Sequence, residues 1–460
     1  MIDSQSVASR RRETVLLALA SAFVLAAAVA LVLIPFARAN TWKLEAGSWG
    51  LGFGISAAIW AACALTSVLV LRRTLPDHDP YLLPIIFLLT GWGLALIWRL
   101  TPRFAMRQTV WLVVATVAML VIASLPGNLR WLRRFRYTWL FGGVALTALT
   151  LIFGVNPSGA GERLWLGCCG MYLQPAEILK LLLVVFLAAY LADRREPLFQ
   201  PTQPDHGPRR LVAPQPAYFS PMLLAWGFSM LVLISQRDLG MSTLFFAVFL
   251  VILYLASGRA EYVIAGFVLL VLGGVLGYFL FDVVRLRVEA WWNPWADASG
   301  RSYQIVQSLI ALAAGGLFGR GPGLGAPTLI PVAHSDFIFA ALIEEWGLAG
   351  ALGAIGLLSA TVFRGLRIAL SARGGFEELL AGGLAALVGL QALMIMGGVV
   401  KLVPLTGVTL PFVSYGGSSL VTHFIMIGLL LRLSSAERRR TMAALSAALR
   451  GSSKVRRTAP

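Results

Sequence analysis

Apolar runs long enough to cross a bilayer recur twelve times between Thr14 and Leu431. A crossing helix needs about 20 predominantly apolar residues. The runs are Thr14–Phe36, Trp49–Leu71, Tyr81–Trp98, Gln108–Ser124, Thr138–Phe153, Gln174–Ala192, Ser220–Ser235, Met241–Ser257, Tyr262–Phe281, Phe337–Phe363, Leu380–Val403 and Pro411–Leu431. Lipid offers the backbone no hydrogen-bond partners, so each run must satisfy its own, and a chain of such runs is a bundle of helices. The expected fold is an all-α polytopic membrane protein. Only 13% of the 460 residues are charged, against about 25% in soluble domains, which leaves little room for a soluble domain.

The formal charge of +17 would suggest nucleic acid in a soluble protein. Here most arginines lie in short segments between apolar runs, so the positive-inside rule accounts for them and no nucleic-acid partner is expected. With the N-terminus inside, Arg72, Arg73, Arg130, Arg133, Arg134, Arg136, Arg194, Arg195, Arg209, Arg210, Arg259, Arg364, Arg367 and Arg373 fall on the inner side. Arg103 and Arg107 go against the trend. An even number of spans places both termini in the cytoplasm, and the Asp238 turn and the Asp282–Asp336 loop outside. Ala37-Arg38-Ala39 resembles a signal-peptidase site, but the run before it exceeds the roughly 7–15 residues of a signal core, so it reads as a retained first helix. Cys63, Cys168 and Cys169 form neither a disulfide framework nor a metal spacing, and the four histidines make no HExxH. Glu196–Pro216 reads as a polar, proline-rich linker.

Asp238 lies in a short polar break, Ile234–Ser242, between two apolar runs. So short a break is a turn at one membrane face, where an ionisable group marks a candidate functional site. A cap for the next helix explains the residue equally well. In QPAEILK, Pro175 suits a first helical turn, and Glu177 and Lys180 share a helix face at the same membrane side. They read either as an ion pair that fixes packing or as the lining of a substrate cavity. Arg163 and Trp165 stand on the preceding outer loop, the arginine with a donor fork suited to phosphate. Trp291, Trp292 and Trp295 fit an aromatic belt or a sugar-stacking surface. Ile305–Ala314 is too short to span, and the glycines after it match no nucleotide-binding loop. His334 and Asp336 precede a helix that carries Glu344 and Glu345, with Asp336 placed to cap it. Lys401, Pro404, Pro411, Ser414, Gly416, Gly417, Ser418 and Ser419 mark a broken helix, which membranes tolerate where it lines a protein-buried or wet cavity.

These stretches, in order, resemble the SEDS family (shape, elongation, division and sporulation), the RodA/FtsW proteins. The matching motifs are QPAEILKL, QRDLGMS, YQIVQSLIALAAGGLFGRGPGLG, AHSDFIFAALIEEWGLAG and PLTGVTLPFVSYGGSSL. The GGVVKLVPLTG version is similar to RodA-like members of high-GC Gram-positive type. Many members have Asn where Ile395 stands and a small residue where Lys401 stands, and QRDLG replaces the commoner QPDLG, adding Arg237. The resemblance implies a ten-helix core preceded by two extra N-terminal helices. The expected parts are a cytoplasmic N-terminus (1–13), a five-helix segment (14–154), a catalytic core (155–432) with the extracellular loop 282–336, and a basic cytoplasmic tail (433–460).

The resemblance further implies a peptidoglycan glycosyltransferase that joins lipid II units at the outer face of the bacterial cell membrane. Asp238 is then the essential acid and the expected general base, and Glu177 and Lys180 are the family's intramembrane pair. Substrate-binding candidates are Glu177, Lys180, Arg163, Arg237, His334, Asp336, Lys401, Ser414, Gly416 and Ser418. A divalent cation, magnesium or manganese, is expected on the substrate pyrophosphate. The expected partners are lipid II, the strand on undecaprenyl pyrophosphate, and a class B penicillin-binding protein. A lipid II flippase and a non-catalytic scaffold remain the alternatives.

Overall fold

Helices account for most of the described residues. The computed structural model describes residues 2–39, 48–126, 129–157, 159, 162–168, 170–199 and 216–436. Helices α1 (Ile2–Ala39), α2 (Ser48–Thr74), α3 (Leu82–Leu100) and α4 (Pro102–Ser124) come first. Short α5 (Arg130–Arg134) leads into α6 (Arg136–Ala148) and α7 (Thr150–Phe153), which together make one apolar crossing. A hairpin of β1 (Leu166–Cys168) and β2 (Met171–Leu173) then precedes α8 (Pro175–Phe199). The order continues with α9 (Pro216–Ser235), α10 (Leu239–Ser257), α11 (Ala260–Leu280), α12 (Asp282–Trp292) and α13 (Tyr303–Gly315). Helices α14 (Ile338–Ser371), α15 (Gly375–Val399) and α16 (Gly417–Ala436) close the bundle.

Eleven of the described helices are long and apolar enough to cross a membrane. The expectation of an all-α multi-pass protein holds. The twelfth expected run is present as the shorter apolar helix Phe219–Ser235. Several boundaries differ from the sequence reading, these three among them. The Pro411–Leu431 run opens with turns, and its helix begins only at Gly417; Leu380–Val403 shifts back to Gly375–Val399; and Phe337–Phe363 extends to Ser371. Hydropathy marks where apolar side chains begin, whereas a helix begins where its backbone amides find partners. Most of the linker after α8 and the tail from residue 437 lie outside the described residues.

Helix α8 is the hub. Every side chain from Leu183 to Leu191 is buried, as expected of a helix apolar on all sides. It packs against α6, α10 and α15, while α14 packs along α15 and α3. Helix α11 is the opposite case: only 11% of its span is buried inside the protein. Phe267, Leu269, Leu272 and Phe279 project outward from it, so α11 faces lipid.

At the end of the bundle away from Asp238, ion pairs join distant segments. Asp79 accepts from Arg364 Nε at 2.9 Å, and its own N–H donates to Ser434 Oγ at 3.0 Å. Glu13 on α1 meets His78 at 2.7 Å and Arg72 at 3.8 Å. Close backbone approach sets the other end. A Cβ at Gly93 of α3 would collide with the Val413 backbone in the segment before α16. Gly93→Val should therefore lower the thermal unfolding midpoint of the purified protein, by about 1–3 kcal/mol of overpacking. An unchanged midpoint would mean that α3 and Val413 do not meet this closely.

Candidate active site

The starts of α8 and α10, helix α12 and the 400–416 segment converge at one end of the bundle. The turn between α9 and α10 is fixed by Gln236, whose Nε2 donates to Thr147 O (2.7 Å) and Thr150 Oγ1 (2.8 Å). Arg237 adopts a left-handed backbone, φ 57°, and Asp238 follows as the N-cap of α10. Asp238 Oδ1 accepts the Met241 N–H at 3.1 Å. Its Oδ2 accepts from Gln174 Nε2 at 3.3 Å. Gln174 is itself held, because its backbone N–H donates to Ser418 Oγ at 2.8 Å. The capping role is thus real, and it occupies one oxygen while the other faces the convergent elements.

Glu177 and Lys180 form an ion pair in the first turns of α8. The Lys180 side chain is 1% exposed, so its charge depends wholly on protein partners. Its Nζ also donates to Gln391 Oε1 at 2.7 Å. Gln391 Nε2 in turn donates to Thr409 O at 2.8 Å, and Thr409 Oγ1 pairs with Ser419 Oγ at 2.7 Å. One polar chain therefore ties α8 to α15 and to the broken segment before α16. That segment's non-helical backbone is satisfied from inside the protein, as membranes require.

Arg287 on α12 completes the cluster, and the sequence reading did not single it out. Its Nη1 donates to Thr406 O at 3.3 Å. Its charge reaches both Asp238 and Asp336. Part of Asp238 stays accessible, yet protein surrounds its carboxyl. Burial pushes that carboxyl up to about 6, and nearby Glu177 adds to the rise. The Met241 amide, Arg287 and Gln174 pull it back. Burial likewise raises Asp336, against Ser335 and Arg287. Asp336 does not cap α14, contrary to expectation. The helix starts at Ile338 with Phe337 at the N-cap, so Asp336 stands one residue too early to reach the free amides.

The other candidates separate into two groups. Ser414, Gly416 and Ser418 support the site through the backbone. Ser414 Oγ donates to Ser335 O at 2.6 Å and accepts the Leu410 N–H at 2.9 Å, and the Gly416 N–H donates to Gln108 Oε1 at 3.3 Å. His334 stacks on Phe104, ring centroids 4.5 Å apart, and its carbonyl accepts the Tyr415 N–H at 2.9 Å. Lys401 lies in a left-handed turn, φ 63°, and its carbonyl accepts the Trp291 indole N–H at 3.1 Å; it anchors α12 and forms no ion pair with Asp238 among the described residues. Arg163 is exposed beside the hairpin. Arg237 turns outward to Glu162 at 3.5 Å rather than toward Asp238.

Glu344 and Glu345 have a different task. Gly347, φ 67°, breaks α14 just after them, and the glycine-rich loop docks on the break. The Arg320 and Gly321 amides donate to the carbonyls of Glu344 and Glu345 at 2.9 and 3.0 Å. The Glu344 side chain accepts the Ala326 N–H at 2.7 Å, and Arg99 meets Glu345 at 3.3 Å. The loop's amides are thereby used within the protein.

The cell cycle protein model for FtsW, RodA and SpoVE matches residues 94–439. Peptidoglycan glycosyltransferase RodA of Mycobacterium leprae (strain TN) is 37% identical over 440 residues, covering 94% of this chain and 91% of that protein. Stage V sporulation protein E of Bacillus subtilis (strain 168) is 34% identical, covering 72% of this chain and 87% of that protein. A solved chain from work on polymerization and crosslinking by a peptidoglycan synthase complex is 25% identical, with a TM-score of 0.64, covering 78% of this chain and 98% of that one. The crystal structure of Thermus thermophilus rod shape determining protein RodA shares the fold, with a TM-score of 0.55 at 24% identity, covering 78% of this chain and 96% of that one.

Removing one member of the Glu177–Lys180 pair strands the other charge inside the bundle. Glu177→Leu or Lys180→Met alone should cost about 3–5 kcal/mol of stability, and the double variant Glu177→Leu/Lys180→Met should cost less than the sum of these singles. Thermal unfolding of the four proteins in detergent checks this. Additive losses would show that the two side chains are not coupled.

Proposed function

The chain belongs to the FtsW/RodA/SpoVE family of cell cycle proteins, and on that premise we propose that it is a peptidoglycan glycosyltransferase whose general base is Asp238. The observation that carries the reading is the setting of Asp238. It is a carboxylate raised to about 6 at the mouth of a membrane bundle, beside a buried Glu177–Lys180 pair. A general base works best when its pKa lies near the working pH.

The donor is the growing strand on undecaprenyl pyrophosphate, and the acceptor is lipid II. The 4-hydroxyl oxygen of the acceptor GlcNAc bonds to C1 of the donor MurNAc as the bond from C1 to the pyrophosphate oxygen breaks. The configuration at C1 inverts. Asp238 Oδ2 takes the hydroxyl proton, and Gln174 orients that oxygen. The lipid tails lie among the outer ends of the helices, so both head groups stay at one face. With an even number of crossings, both termini are cytoplasmic and this face is the outside of the bacterial cell membrane. The core from 155 to 432 carries the reaction, including the loop 282–336.

Among the described residues no three His, Cys, Asp or Glu side chains group as metal ligands. Magnesium or manganese would therefore be held mainly by the pyrophosphate, where it neutralises charge on the leaving group. A class B penicillin-binding protein is the proposed partner, in keeping with the related chain from a peptidoglycan synthase complex. Glu344 and Glu345 hold the glycine-rich loop, so the flippase alternative gains no substrate-binding acid from them.

The test is purified protein with its transpeptidase, lipid II and a divalent cation. Wild type should form glycan strands, and Asp238→Asn should be slower by about 10²–10⁴-fold. Equal strand formation by both would remove Asp238 from the base role. The base must be ionised to accept a proton, so kcat/KM should fall about tenfold per pH unit below the value near 6 and level off above it.

A further inference from the structure

A cavity of about 490 Å³ opens beside α12. Arg287 and Trp291, one turn apart, bind this helix to the carbonyls of Thr406 and Lys401. Glu289 and Asn293, also one turn apart, stand on another flank and line the cavity. Tyr278, in the last turn of α11, forms part of its wall, and so do Trp292, Asp297 and Arg301. Adjacent tryptophans therefore separate: Trp291 is engaged by Lys401, whereas Trp292, 77% exposed, lines the cavity. Asp297 Oδ2 accepts the Arg301 N–H at 3.0 Å, within the turn that brings Arg301 to the wall. Among the described residues, the side chains of Glu289, Asn293 and Arg301 make no ion pair or hydrogen bond, so their donors and acceptors stay open to a ligand.

We propose that this cavity is a saccharide subsite, which holds the growing strand behind its reacting end. Its size lies in the range of about 300–1,000 Å³ usual for small-molecule sites. An indole presents a broad apolar face with a polar edge, which suits the C–H face of a pyranose. Beside Trp292 stand a carboxylate, an amide and a guanidinium. Together they can accept from hydroxyl groups and donate to an acetamido carbonyl. Charge selects among occupants. Two carboxylates, Glu289 and Asp297, line the cavity with one guanidinium, Arg301. The wall is thus net negative, which disfavours a pyrophosphate or an anionic lipid head group. A neutral N-acetylhexosamine meets no such repulsion. The concave shape suits a ring rather than the broad face of a protein partner. A strand leaving the catalytic side crosses α12, about 10 Å wide, to reach the cavity. Held there and at its lipid-linked end, the strand is attached at two points, and rebinding at either becomes intramolecular. The subsite thereby lengthens the strand made in one encounter.

The choice of sugar rests on the polymerase reading. The test is calorimetric binding of tetra-N-acetylchitotetraose, a neutral, lipid-free, 1,4-linked strand, to the purified full-length protein. Wild type and D238N should bind alike. W292A should bind about tenfold more weakly, and N293A should also bind more weakly. Trp292 is 77% exposed, so W292A leaves the core intact. In polymerisation with the transpeptidase, W292A should make strands several-fold shorter than wild type at equal lipid II consumption. No saturable binding by wild type, or equal binding by W292A and N293A, overturns the inference; strands formed by the same preparation leave the polymerase reading intact. Equal sugar binding with loss of the transpeptidase on co-elution gives the cavity to that partner and overturns the inference. Equal sugar binding with a lower unfolding midpoint gives Trp292 to the membrane belt and overturns it too. A wild type that binds the sugar through Trp292 but forms no strands removes the polymerase reading alone.

Discussion

A lysine ammonium with 1% of its side chain exposed, inside a helix of bilayer length, is the constraint on which the rest of this structure depends. A buried charge persists only when paired and hydrogen-bonded. Lys180 meets Glu177 one turn away and Gln391 across the α8–α15 contact. Gln391 then needs its own partner, and finds it in the broken segment at Thr409. The buried charge thus dictates where two helices and one irregular stretch must sit. The apolar residues Leu183–Leu191 let α8 occupy the centre, and Lys180 fixes its position there.

Irregular backbone is the second theme. The turn at 236–238, the break at Gly347 and the stretch 400–416 all lie at one end of the bundle. Each is satisfied by side chains rather than lipid: Gln236 holds the first, Glu344 and Arg99 the loop on the second, and Ser414, Gln391 and Gln108 the third. Non-helical backbone inside a membrane needs such partners. Their concentration at one end leaves polar groups there that a head group can use, while lipid-facing α11 carries none of this apparatus.

The same physics sets the chemistry. Full desolvation would keep Asp238 protonated, and full solvation would make it a weak base. Its neighbours hold it between those limits. Burial and Glu177 raise it, while the Met241 amide, Arg287 and Gln174 lower it. The four residues among these influences come from three elements, the start of α8, α10 and α12, so the poise of the carboxyl reports on the assembly of the whole outer end.

Spans and their order were legible because hydropathy needs no tertiary information, and Glu177 with Lys180 was legible because three residues make nearly one helical turn. Asp238 stood out through the shortness of its turn. Arg287 was not legible. Two arginines occur in RLR, and only the facing of α12 sends Arg285 to Asp282 and Arg287 to the acids. Arg237 misled for a related reason: adjacency to Asp238 said nothing of a left-handed φ that turns it to Glu162. Sequence alone determined that the chain is a membrane bundle with acids and a lysine at helix starts, because local spacing and apolar length decide that much. Only the tertiary structure decided which cation serves which carboxylate, because electrostatic partnership depends on distances between segments far apart in the chain.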